Sequence, residues 1–292
     1  MAGLERRFDL YVIADYGIGD PAFTEVNARI RAESRENGGI LSAMENLSVP
    51  AFSTISTGFW IRQIGLEDGY GGAVIFSNTA PRGNQDEITW EGEERQRLLY
   101  GVLRNGVEVF AVSAGYNWSF VRDELVEFRD LDIPNSGSQF RSRDIYGPAV
   151  VRFLAGDRTF LGKEIDPEQI PEIPLNHIVV DGYGNLKITT RRDQFPADLS
   201  IHPFLEAKIG QERHRVFNHL AGNPVPTGRI GLLEGSSGGV NNRFLELVLR
   251  GGSAARAFSY PEISDNEGTV NFCSALQPNS LPDKVYGEWE LG

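Results

Sequence analysis

Three short segments hold residue types able to grip or react with a small molecule. Asp15 lies in the run DYGIGD, directly after the apolar stretch FDLYVIA. A carboxylate at the end of a buried strand can accept hydrogen bonds from two neighbouring hydroxyls, the arrangement a ribose diol presents; it can equally cap the helix that follows. Asp181 and Asn185 bracket DGYGN, whose residue types are those of a tight turn. The same two side chains can hold an amino-acid zwitterion, the carboxylate receiving the ammonium and the amide donating to the carboxylate. Glu234 to Asn242 (EGSSGGVNN) is a run of small residues between two strands, either a plain connection or a loop whose backbone can approach a flat ring closely.

Other chemistries find little footing. Of the four histidines, His214 and His219 are five apart, off a common helix face, and no carboxylate pattern completes a metal site. No G-x-S-x-G elbow is present, and the glycine-rich loop lacks the Gly-Lys-Ser/Thr of a phosphate cradle. Cys273 is the only cysteine, which rules out an intrachain disulfide and reads as a lone packed thiol.

The elements that must position these residues alternate at first between strand and helix. Phe8 to Ala14, Ala73 to Ser77 and Val107 to Ser113 read as buried strands, and Asp20 to Glu33 and Asp144 to Ala155 as helices. Arg95 to Leu103 reads as a further helix, with Leu98, Leu99 and Val102 on one face. The expectation is an α/β N-terminal domain over residues 1–160 with a largely parallel sheet, whose ligands sit at the carboxyl ends of strands. Asp15 and Asn78 fall at such ends. The proline-rich stretch DPEQIPEIP suggests a linker over 161–174. Beyond it, strand-like runs at His177 to Asp181, Leu186 to Thr190, Arg229 to Leu233 and Phe244 to Leu249 predict a smaller, mostly β barrel or sandwich over 175–292.

Composition sets outer bounds. A chain of 292 residues is about the length at which soluble proteins divide in two. The formal charge of −12 opposes attraction to phosphate backbones, which argues against a nucleic-acid partner and favours a cationic small molecule. The N-terminal residues MAGLERRFDL carry charge where a signal peptide needs an apolar run, and no stretch reaches membrane-spanning length, so the expected location is cytoplasmic with no membrane contact.

The order of these motifs resembles the superfamily of S-adenosylmethionine (SAM) hydroxide adenosyltransferases, fluorinases and chlorinases. Asp15-Tyr16-Gly17-Ile18-Gly19-Asp20 is similar to that family's D-F-G-x-x-D, and Gln139-Phe140-Arg141-Ser142-Arg143-Asp144-Ile145 to its T-F-H-G-R-D-I or F-Y-S-R-E segment. Asp181-Gly182-Tyr183-Gly184-Asn185-Leu186 resembles D-R-F-G-N-L; Ser236-Ser237-Gly238, Leu245-Glu246-Leu247 and Gly251 to Ala255 resemble the family's ending. The resemblance runs from about residue 8 to 258.

It implies that Asp15 holds the ribose hydroxyls, with Phe140 packed near the ribose. Asp181 and Asn185 would hold the methionine end, and Ser236, Arg250 and Gly252 the adenine region. It further implies a homotrimer with sites between subunits, and no cofactor beyond SAM as substrate or ligand. The pattern breaks where the hydroxide-using members keep an Asp, an Arg and a His: Ala80 stands at the Asp, Glu87 falls about where the Arg would be, and Arg141 replaces the His. Ser142 matches the serine that resembles the halide contact of fluorinases, and Asn78, Thr79 and Arg141 complete the candidates around the nucleophile. The expected reaction is substitution at the 5′ carbon of SAM, releasing methionine and adenosine or a 5′-substituted adenosine. The alternative is a protein that kept the adenosyl site and lost the chemistry.

Overall fold

The computed structural model of the chain describes residues 7–17, 19–80, 96–134, 137–260 and 268–274. Contacts divide it into two compact units, with the division between Ile173 and Pro174. Each is built on one mixed sheet of seven strands.

In unit 1, β1 (Phe8–Ala14) leads through α1 (Ala22–Glu36) to β2 (Leu41–Ser48), then through α2 (Thr54–Arg62) to β3 (Ala73–Asn78). After them come β4 (Leu98–Leu103), β5 (Glu108–Val112), β6 (Leu125–Leu131), α3 (Gly147–Leu154) and β7 (Leu161–Glu164). The sheet order is β2-β1-β3-β5-β4-β6-β7. The pairings β2/β1, β1/β3 and β3/β5 are parallel, and those of β4, β6 and β7 antiparallel. The sheet is therefore mixed, and only its first half has the parallel character expected.

Both faces of this sheet are covered, which explains the unbroken apolar runs of its central strands. Leu10, Val12, Val74 and Phe76 face a core shared with Val26 and Ile30 of α1 and Val150 and Phe153 of α3. Ile13, Ile75, Val109 and Ala111 face the other core, shared with Ile61 of α2. Residues 98–103, expected in a helix, form β4 instead: Leu98, Leu99 and Tyr100 are buried in succession, as in a strand covered on both sides. A short apolar run of this kind does not distinguish the two structures by its spacing.

Most of the expected linker also belongs to unit 1. Residues 161–164 pair with β6 as its edge strand, and Ile165 and Ile170 are buried anchors in the α2-side core. Arg122 donates to the Ile170 carbonyl at 3.2 Å and pairs with Glu168. The Pro and Glu content conceals these two isoleucines.

In unit 2, β8 (Ile178–Val180) and β9 (Leu186–Arg191) form a hairpin around the 181–185 turn, followed by the short α4 (Ala197–Ser200). Then come β10 (Phe204–Ile209), β11 (Glu212–Asn218), β12 (Ile230–Gly239), β13 (Asn242–Leu249), the one-turn α5 (Ala254–Ala257) and β14 (Val270–Ser274). The order is β14-β10-β11-β12-β13-β9-β8, antiparallel except for a short parallel contact of β11 with β12. The two edges meet at one bridge, His177 with Thr269, so the sheet curls round its own core of Leu186, Ile188, Leu232, Leu245 and Leu247. The small-residue run 234–242 is not a loop: β12 continues through it to Gly239, with a register shift between Glu234 and Gly238.

Candidate functional site

A parallel sheet whose strand order reverses opens a crevice at the carboxyl ends of the strands either side of the reversal. In unit 1 the chain leaves β1 for β2 on one side and returns to β3 on the other, so the crevice falls between the ends of β1 and β3. A cleft of about 610 Å³ lies there, within the usual size range of small-molecule sites. Asp15 and Tyr16 enter its wall from β1, Asn78 and Ala80 from β3, and Phe140, Arg141 and Ser142 from the segment that opens α3. Five of the residues singled out in the sequence thus share one cavity. Thr79 does not: it is buried, it is absent from the cleft wall, and its carbonyl accepts the Asn117 amide at 2.9 Å.

Asp15 Oδ2 accepts the Phe52 N–H at 2.9 Å. Phe52 has φ 63°, a left-handed backbone that costs a non-glycine residue about 1–3 kcal/mol and is kept only where surroundings enforce it. Asp15 does not cap α1, which begins after Pro21; Asp20 lies just before it, and its Oδ1 accepts the Ala22 N–H at 2.7 Å.

Beside Asp15 runs a directed line of donors. Asn78 Nδ2 donates to Tyr16 Oη at 3.4 Å, and Tyr16 Oη donates to Ser142 Oγ at 2.5 Å. Burial, partly offset by the Ser142 bond and reinforced by the Asp15 charge, pushes the Tyr16 phenol up to about 12. It is therefore a neutral donor at physiological pH and no base. Ser142 accepts from Tyr16, and a hydroxyl carries one proton of its own to donate onward. Edge-on contacts with Phe23 at 5.0 Å and Phe140 at 6.0 Å between ring centres fix the Tyr16 ring, so Phe140 packs on the line that aims Ser142.

Ser142 opens a five-residue π turn, Ser142–Tyr146, that runs directly into α3. Gly147 permits the turn to lie against α1, since a Cβ there would come within 2.8 Å of Ile30. Arg141 points inward: Nη1 donates to Tyr146 Oη at 3.2 Å, and the guanidinium lies 5.6 Å from that ring's centre. Asp144 pairs with Arg143 at 2.7 Å, and that bond together with Ser138 holds its carboxyl down at about 2. Ala80 offers no group to activate water, and Glu87 lies outside the described residues.

In unit 2 the turn residues are engaged with one another. Asp181 Oδ1 accepts the N–H groups of Tyr183 at 2.9 Å and Asn185 at 3.0 Å, and Oδ2 accepts Asn185 Nδ2 at 3.1 Å. Lys187, almost wholly buried, brings its ammonium to Asp181 Oδ2 at 3.5 Å, Glu246 Oε1 at 3.3 Å and Ser236 Oγ at 3.4 Å. Gly184 is required at φ 79°, where a Cβ would strike Ser253 Oγ. The turn is thereby pressed onto the 253–255 run, whose Ala255 N–H donates to the Gly184 carbonyl at 2.9 Å. Asp181, Asn185 and Ser236 thus come together. Arg250 is turned elsewhere: it is exposed and donates to the Val225 carbonyl at 2.8 Å, and Gly252 follows it in the turn after β13.

Two residues of consequence escape a reading of the sequence. Tyr16 is available to it as the hydroxylated residue where the resembled motif has phenylalanine. Lys187 carries no signal, since a lysine in a strand ordinarily reads as a solvent-facing position. Among the described residues, no three His, Cys, Asp or Glu side chains gather as metal ligands, and no helix is long and apolar enough to cross a membrane.

No protein-family model matches the chain, and no curated protein sequence does. Among solved structures it is similar to an uncharacterized conserved protein from Thermotoga maritima, at TM-score 0.64 and 15% identity over 90% of this chain and 100% of that one. It is also similar to a conserved hypothetical protein from Thermus thermophilus, at TM-score 0.59 and 19% identity over 91% of this chain and 100% of that one. At such identities the likeness shows the mixed α/β fold and carries no activity with it.

Proposed function

We propose that the chain binds an adenosyl ligand, SAM or an adenosyl product of it, in the unit 1 cleft, and that it supports substitution at the ligand's 5′ carbon. One observation carries this reading: three segments far apart in sequence, contributing Asp15, Asn78 and the consecutive Phe140, Arg141 and Ser142, line one cavity at the strand-order reversal. In this reading Asp15 takes the ribose hydroxyls and Phe140 lies beside the sugar.

In the substitution, a lone pair of the nucleophile forms the new bond to the 5′ carbon while the carbon–sulfur pair returns to sulfur. A sulfonium leaves as a neutral thioether and needs no acid. The protein's work is to hold the nucleophile in line and stripped of water. The line from Asn78 through Tyr16 to Ser142 suits that work, because it ends on a hydroxyl able to donate to an electron-rich atom. Water as nucleophile must also lose a proton; Ala80 supplies no base, and a phenol held near 12 does not act as one at neutral pH. With Ala80 in place of the resembled family's Asp, an anion suits the cleft better than water. The same replacement of Asp by Ala80 favours the second reading, an adenosyl-binding protein without turnover. The homotrimer implied by the resemblance is part of the proposal and is tested by solution mass.

Incubating the protein with SAM, with and without chloride, and separating methionine and adenosine products by chromatography distinguishes the two readings. Chloride-dependent release of methionine is expected of the enzyme, and binding without any product sinks it. If calorimetry shows neither SAM nor adenosine binding at millimolar concentration, the adenosyl reading itself is lost.

A further inference from the structure

We infer that the α3 side of the unit 1 cleft, at Arg141 and Ser142, is a binding site for a small oxyanion, a carboxylate or a phosphate, in preference to a spherical halide. This goes beyond the adenosyl reading above and does not depend on it.

Donor geometry points to this class of ligand. A guanidinium is a planar fork with a permanent charge, and it matches the paired oxygens of a carboxylate or phosphate in a way that a sphere does not. Arg141 and Ser142 both line the cleft. Arg141 Nη1 donates to Tyr146 Oη at 3.2 Å, and the guanidinium lies 5.6 Å from the centre of that ring. Burial pushes the Tyr146 phenol up, against a smaller pull downward from Arg141. The group that steadies the fork is therefore a neutral hydroxyl, and the bond leaves the positive charge in place. Ser142 is 1% exposed and accepts from Tyr16 at 2.5 Å, which leaves it a proton to donate.

The backbone adds to the same field. Arg141 precedes, and Ser142 opens, the winding that runs through the π turn into α3, and the first turn of a helix carries the positive end of its dipole. The carboxylates nearby have partners of their own. Asp144 in that first turn is held by Arg143 at 2.7 Å and by Ser138 at 2.5 Å. Among the described residues, the carboxylates of the cleft wall are Asp15 and Asp20; the first accepts the Phe52 N–H and the second the Ala22 N–H. Both enter from β1 and the segment after it, whereas Arg141 and Ser142 enter from α3. The cleft is thus polarised, and its positive side receives an anion although the chain as a whole carries −12.

The test is calorimetric titration of the wild-type protein, without nucleoside and at constant ionic strength, with inorganic phosphate, acetate and chloride. At least one of the two oxyanions is expected to bind about tenfold or more tightly than chloride. Phosphate in the lead assigns a phosphate group to the site, and acetate in the lead a carboxylate. Chloride binding as tightly as both, or neither oxyanion binding at millimolar concentration, overturns the inference. Arg141→Lys keeps the charge and removes the fork, so oxyanion affinity should fall about tenfold while chloride affinity stays the same. A variant that folds by circular dichroism and keeps the wild-type preference also overturns the inference. Should the variant not fold, the wild-type ranking decides. Adenosine binding without oxyanion binding removes this site and leaves the adenosyl reading intact; oxyanion binding without adenosine binding does the reverse.

Discussion

The polar clusters of the two units differ in where their hydrogen bonds end. In unit 1 the bonds run in one direction, from Asn78 through Tyr16 to Ser142, a residue of the cleft wall. In unit 2 the bonds among Asp181, Asn185, Lys187, Glu246 and Ser236 return on themselves. Aspartate, asparagine and serine occur in both, so residue type alone does not separate a ligand site from a structural clasp. What separates them is whether donor capacity remains once the protein's own groups are satisfied.

The largest expected effect tests the clasp. Lys187→Met leaves two mostly buried carboxylates without their cation, and breaking a buried pair in this way costs about 3–5 kcal/mol. Urea denaturation should show this as a lower midpoint with an unchanged slope; a loss under about 1 kcal/mol would mean the cluster is open to solvent and the contrast does not hold. Next comes Asp15→Ala in the cleft, expected to weaken adenosine binding about a hundredfold, two tenfold steps of about 1.4 kcal/mol each. Near-normal affinity in that variant rejects the ribose role.

Ser142→Ala removes the terminal donor and should lower turnover about tenfold with little change in binding, the size of one hydrogen bond to a charged partner. A parallel loss of affinity would instead make Ser142 a binding group. Tyr16→Phe keeps the ring and removes the hydroxyl, and its signature is a pH profile. The fold raises the Tyr16 phenol from 10.0 to about 12, so the stability linked to its neutral form is fully present below pH 10 and is lost as pH rises through about 12. The urea midpoint should fall across that window, less steeply in Tyr16→Phe; equal slopes in the two proteins would sink the assignment.

Much of the frame is legible in the sequence because burial on both faces leaves a plain trace. FDLYVIA stops at Asp15 just as β1 does, and the 181–185 turn joins its two strands as its residues require. The same burial misleads at LLYGVL, where a run apolar throughout carries no period and reads as easily as a helix. EGSSGGVNN reads as a loop because small residues usually mark one, whereas here they let β12 pass close to Glu246: a Cβ at Gly235 would approach its carboxylate to 2.5 Å.

The cleft is readable where residues sit at strand ends, as with Asp15 and Asn78. It is unreadable where a role depends on a partner 126 positions away, as with Tyr16 and Ser142. Lys187 belongs to the same class, since nothing local distinguishes a lysine facing water from one facing Asp181 and Glu246.

The π turn that opens α3 bears on how chains of this fold can diverge. It fits one residue more than an α-helix into its winding, and Ser142 sits at its start. Deleting a single residue between Ser142 and Tyr146 would let α3 resume its ordinary winding and carry Ser142 round by roughly 100°, one residue's share of a helical turn. Tyr16 would then lose its acceptor although every side chain of the cleft remained in the gene. Such a deletion variant should fold with native helix content and lose the Ser142-dependent turnover, and unchanged turnover would refute the dependence. In this molecule a change of length in one turn can undo the contact of Tyr16 with Ser142 without altering any residue of the cleft wall.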